Sequence, residues 1–136
     1  MDAFLKTLQT LPEASELIAR VENGGCPAVL TGTAPVQRAC IGAAVAAVFL
    51  CADEREARQL AGDLQSLTGQ EPVTLLAREG QFRPNAVASR EWERSRLAAL
   101  YRMASGAVPA VVVTIDALMT RTLPPQRLAA LSVTLR

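Results

Sequence analysis

The residues best spaced for chemistry run Cys26-Pro-Ala-Val-Leu-Thr31, then Gly32-Thr-Ala-Pro-Val-Gln37-Arg38-Ala39. An apolar strand, a glycine turn and a helix, in that order, are the layout of a phosphate-binding loop, G-x-x-x-x-G-K-[ST]. In that motif backbone N–H groups cradle phosphates, the lysine reaches them and the hydroxyl meets Mg²⁺. Gly32 takes the first glycine's place and the four-residue spacer fits. The chemical half departs. Gln37 stands where the second glycine belongs, Arg38 replaces the lysine and Ala39 replaces the serine or threonine.

Each departure removes a capability. Gln37 carries a side chain where the backbone must approach phosphate, and Pro35 has no N–H to add to the cradle. Ala39 has no hydroxyl for a metal, and the planar fork of Arg38 is not a compact ammonium. The simplest expectation is a nucleotide-binding scaffold that no longer binds nucleotide, with Gly32, Gln37, Arg38 and Ala39 as vestigial positions. On that expectation the segment has no catalytic residue, no metal ligand and no cofactor of its own. An ordinary strand–turn–helix without such ancestry stays open. So does a small α/β enzyme that binds a nucleotide or anion at the Gly32–Ala39 turn, with Arg38 and a helix N-terminus holding the charge.

Composition narrows the classes. The chain has 136 residues, half of them hydrophobic, enough for one domain with a real core. A net charge of +1 and 4% aromatics argue against a basic nucleic-acid face and against base-stacking platforms. With no histidine, Ser-His-Asp triads, Cys-His dyads and histidine metal sites are excluded within the chain. Cys26, Cys40 and Cys51 form no C-x-x-C pair; they read as small buried apolar residues in a reducing cytoplasm. No basic stretch precedes an apolar one at the N-terminus, so no signal peptide is expected. The longest uncharged apolar run, residues 39–52, is shorter than the roughly 20 residues that span a bilayer.

The elements that must position the turn follow from periodicity and punctuation. Phe4, Leu5, Leu8 and Leu11 have helical spacing, and a second helix starts at Pro12 and stops at Asn23-Gly24-Gly25. Residues 1–25 are therefore expected as helices packed on a sheet formed by residues 26–136. Strands are expected at 28–31, 46–51, 73–77 and 110–114, the second apolar on both faces like a central parallel strand. Asp53 and Glu56 form a capping box ahead of the stripe Ala57, Leu60, Ala61, Leu64 and Leu67, which Gly69 ends. Residues 78–88 read as a loop. Ser89 starts a helix that buries Leu97, Leu100, Tyr101 and Ala104, with Trp92 as filler. Thr114 caps a short helix, Pro124-Pro125 opens another, and residues 132–136 read as a further strand. Strands alternating with helices make an α/β parallel sheet.

Three blocks in the second half, Ala88-Ser-Arg-Glu-Trp-Glu-Arg-Ser-Arg-Leu-Ala-Ala-Leu-Tyr101-Arg-Met, Val111-Val-Val-Thr114-Ile-Asp-Ala-Leu-Met119 and Arg121-Thr-Leu-Pro-Pro125, resemble the bacterial transcription-repair coupling factors (Mfd). The likeness is to their N-terminal module, itself similar to the excision-repair protein UvrB, and covers nearly the whole chain. It implies a helicase-like, RecA-like P-loop domain that has lost its ATPase function and is incomplete at its C-terminus. It also implies a cytoplasmic parent protein with ATP and Mg²⁺ in distant motor domains. That parent would displace stalled RNA polymerase on double-stranded DNA and recruit UvrA. UvrB differs in having an intact P-loop and a tyrosine-rich hairpin that clamps DNA. Residues 78–88 are too short for that hairpin and hold only Phe82 as an aromatic. Arg83, Arg90, Arg94 and Arg96 are read as a solvated loop and helix face, with contact to another domain or DNA as the alternative.

Overall fold

Three parallel strands, β1 (Val48–Cys51), β2 (Val73–Leu75) and β3 (Val111–Thr114), form a sheet in the order β1-β3-β2. The computed structural model describes residues 6–7, 10–25, 27, 29–45, 48–77, 90–106 and 108–132. Around the sheet lie α1 (Pro12–Glu22), α2 (Pro35–Val45), α3 (Glu54–Thr68), α4 (Arg90–Ala104), α5 (Ile115–Met119) and α6 (Pro125–Leu131).

The sheet separates two cores. Val111 of β3 stands opposite Val48 on one side and Val73 on the other, so side-chain parity is shared across all three strands. Val112 and Cys51 join Ala39 and Cys40 of α2 and Ala57, Leu64 and Leu67 of α3 on one face. Val111, Val113, Val73 and Leu75 join Ala99 of α4 and Ala117 of α5 on the other. All four residues of β3 are buried, as a strand covered on both faces must be.

Local chemistry fixes the helix ends. Asp53 Oδ1 accepts from the Glu56 N–H at 2.8 Å, and Gly69, at φ 71°, closes α3 with its N–H on the Gln65 carbonyl. The Thr114 hydroxyl accepts from the Ala117 N–H at 3.3 Å and starts α5.

Three expectations fail. Residues 29–31 are not a strand, and Val29 is 85% exposed. They lie between Pro27, which lacks a ladder donor, and Gly32, which turns the chain at φ 73°; so short a stretch between two breakers gains too little pairing. Among the described residues β1 is an edge strand rather than a central one, because β3 inserts between β1 and β2. Its Val48 and Leu50 are about three-fifths exposed. The buried face of α4 also differs. Leu97 and Tyr101 are exposed, whereas Arg96 and Ala99 are buried, with Leu100 and Met103 packed beside them. The first helix at Phe4–Leu11, Cys26, the 78–88 loop with Arg83, Ser89 as a cap and the strand at 132–136 lie wholly or largely outside the described residues.

Arg96 explains its own burial. Its Nη2 donates to the carbonyls of Ala117 (3.4 Å) and Thr120 (3.3 Å), where α5 ends. Its guanidinium lies over the Trp92 ring, 5.5 Å from the centroid, and Trp92 Nε1 donates to the Ala77 carbonyl at 3.1 Å. A cation at a helix C-terminus is favourable, and here it joins α4 to the far end of β3's connection. We predict that Arg96→Ala lowers stability by about 2 kcal/mol, and that Arg96→Lys does not restore it, since an ammonium lacks the planar fork. Urea unfolding followed by fluorescence of the single tryptophan measures both. Wild-type stability in Arg96→Ala would refute the assignment.

Candidate functional site

The glycine turn leads into α2, which begins two residues earlier than a phosphate-binding loop allows. Pro35 is already helical, so Gln37 and Arg38 sit inside the first turn. The Arg38 N–H donates to the Ala34 carbonyl at 3.1 Å. Gln37 then reaches back: its Oε1 accepts from the Ala34 N–H at 2.9 Å. This is half of a capping box. The turn's first donor is thus taken by a side chain of the same helix, and Pro35 contributes none.

Arg38 is also engaged. Its Nη1 lies 3.3 Å from Glu56 Oε1, and Glu56 Oε2 accepts from the Ala52 N–H at 3.0 Å. The Glu56 carboxylate therefore bridges the end of β1, the start of α3 and the start of α2. The sequence identified Glu56 as the capping partner of Asp53. Its backbone does take that role, but its carboxylate reaches one residue further back, to Ala52. Ala39 is fully buried in the core between α2 and the sheet, away from any ligand position.

Gly32, Gln37, Arg38 and Ala39 are thus gathered at one turn, but as a closed corner rather than a cradle. The residues present do not fit a magnesium nucleotide. No hydroxyl is available at position 39, the glutamine occupies the loop's own donor and the arginine is held by a carboxylate.

Beside this corner runs a groove of about 300 Å³, bounded by the edge of β1, by Pro35 and Arg38 of α2, and by Glu56 and Asp63 of α3. Asp63 Oδ2 is buried without a hydrogen-bond partner among the described residues. Asp63 was not singled out in the sequence, although its place between Leu60 and Leu64 on the margin of an apolar stripe was the available signal. Arg96 carries a related signal: it follows Trp92 at i, i+4, and its guanidinium lies over that ring rather than in the solvent expected from its charge.

Among the described residues no three His, Cys, Asp or Glu side chains gather as a metal site, and no helix is long and apolar enough to cross a membrane. Arg90, Arg94 and Asp116 are exposed. Compared with protein-family models, curated proteins and solved structures, the chain matches none.

Cys40 and Cys51 are buried and free. Burial raises both thiols above their ordinary value. The Asp63 carboxylate adds to this for Cys40. For Cys51, Glu56 and Asp53 add to it and Arg38 partly offsets it. A raised thiol is neutral at pH 7 and a poor nucleophile. Because the folded pKa lies above the unfolded one, this contribution to stability is complete below about pH 8.5 and is lost as pH rises through the folded value. We predict that iodoacetamide at pH 8 leaves Cys40 and Cys51 unmodified in the native chain and alkylates both in urea. Mass spectrometry of the peptides reads the result; rapid native labelling at either position would show an accessible thiolate instead.

Proposed function

We propose that the chain is a non-catalytic, UvrB-like module of a transcription-repair coupling factor, serving by shape rather than by nucleotide chemistry. Two kinds of observation support this reading. The residue blocks from Ala88 to Pro125 resemble that family's N-terminal module. The single observation that carries the non-catalytic part is the closed turn, where Gln37 caps Ala34 and Glu56 holds Arg38.

In this reading the parent protein is an ATP-dependent DNA translocase that displaces RNA polymerase stalled at damage and recruits UvrA for excision repair. ATP and Mg²⁺ act in its motor domains. The present segment supports the UvrA-contacting surface through other domains of the same polypeptide. The parallel sheet and flanking helices suit a helicase-like scaffold of the P-loop type, and the parent works in the cytoplasm.

Two measurements test the proposal. Calorimetric titration of the chain with Mg-ATP is expected to give no saturable heat up to millimolar nucleotide. Micromolar binding lost in Arg38→Ala would favour a nucleotide- or anion-binding enzyme. Separately, the chain is exchanged for the matching segment of a bacterial coupling factor. Polymerase displacement and UvrA recruitment are expected to persist. Loss of both, with motor ATPase intact, would overturn the family assignment.

A further inference from the structure

We infer that the open edge of β1 is a docking site for an extended segment of a partner protein that carries one lysine or arginine between two aliphatic residues.

The groove follows the strand edge rather than either face. All four residues of β1, from Val48 to Cys51, line it, although alternate side chains on a strand point to opposite faces. Only the edge is common to all four. Among the described residues β1 pairs with β3 alone, so its other side presents backbone groups that none of them pairs, the template for strand addition. None of the usual protections is built into the strand itself: Val48-Phe-Leu-Cys51 holds no charge, proline or glycine.

Specificity comes from the two faces an added strand would share with β1. On the face of α2 and α3 the groove wall carries three charges, Arg38, Glu56 and Asp63. Arg38 and Glu56 engage each other. Asp63 is left, with Oδ2 buried and unpartnered among the described residues. An unpaired buried carboxylate oxygen is costly, and a donor cation on an incoming strand would satisfy it. On the opposite face Val48 and Leu50 are 62% and 59% exposed, because α4 packs over β2 and β3 but leaves β1 uncovered. Aliphatic residues on either side of the basic one would fall on that face and cover them. Edge, carboxylate and apolar face thus specify an alternation of aliphatic, basic, aliphatic.

The probe is a fluorescein-labelled peptide, Ser-Thr-Val-Lys-Val-Thr-Ser, compared with the same peptide bearing glutamate for lysine and with a version N-methylated on alternate amides. Fluorescence anisotropy with the intact chain is expected to show saturable binding of the lysine peptide. Binding should be at least tenfold weaker for the glutamate peptide and absent for the N-methylated one. Asp63→Asn should weaken the lysine peptide about tenfold. Leu50→Lys, a change at an exposed position, should abolish binding while circular dichroism shows the fold intact. Equal binding of lysine and glutamate peptides, no binding of either, or binding unaffected by N-methylation would overturn the proposal. So would sedimentation showing the edge occupied by a second copy of the chain. The comparison of peptides on the wild-type chain stands even if Asp63→Asn fails to fold, and it is independent of nucleotide titration and segment exchange.

Discussion

The double-sided burial of β3 is the constraint on which the architecture depends. Val112 is fully buried on one face, and Val111 and Val113 on the other. Burying each aliphatic side chain contributes about 1.5–3 kcal/mol, but only if helices cover both faces. That requirement places α2 and α3 against Val112, and α4 and α5 against Val111 and Val113. Parallel pairing on both sides follows, since each strand returns through a helix that packs on one of those faces. Because β3 takes the middle, β1 is pushed to the margin, and the properties of the groove follow from that position.

At the margin, one carboxylate organises the corner. Glu56 accepts from Ala52 where β1 ends and holds Arg38 where α2 begins, while its own N–H is capped by Asp53. Ligands of α/β proteins usually sit at the carboxyl ends of strands, where helix N-termini converge. Here an internal acid lies at that meeting point and Gln37 fills the adjacent donor. The pair is half-exposed, so its energetic worth is small, of the order of 1 kcal/mol or less. Its consequence is geometric: the charge that could have met an anion is already engaged with one.

Elements whose signals are local were legible in the sequence. Asp53, the Ala57–Leu67 stripe and Gly69 define α3 within a single stretch of chain, and Thr114 marks the change from β3 to α5. What depended on partners distant in the chain was not. Val48–Cys51 and Val111–Thr114 are both apolar runs, and periodicity does not say which is covered on both faces. The spacing of residues 32–39 matched a phosphate loop, but spacing does not reveal that Gln37 caps Ala34 or that Glu56 holds Arg38. Arg96 looked like a surface charge because its acceptors, Ala117 and Thr120, lie on another element.

The connections place α2 and α3 together on one face of the sheet, beside the edge of β1. The chain passes from β1 to β2 through α3 on the Val112 face, and returns from β2 to β3 through α4 on the other. Opposite directions on opposite faces share one hand, as parallel crossovers do. α2 lies on the face of α3 and delivers the chain into β1. Pro35 and Arg38 at the start of α2 line the groove beside β1. The start of α2, the edge of β1 and the side chain of Asp63 therefore lie on one flank. The sheet has two margins, β1 and β2, and a strand added at β1 would lie between an exposed apolar face and the carboxylate of Asp63.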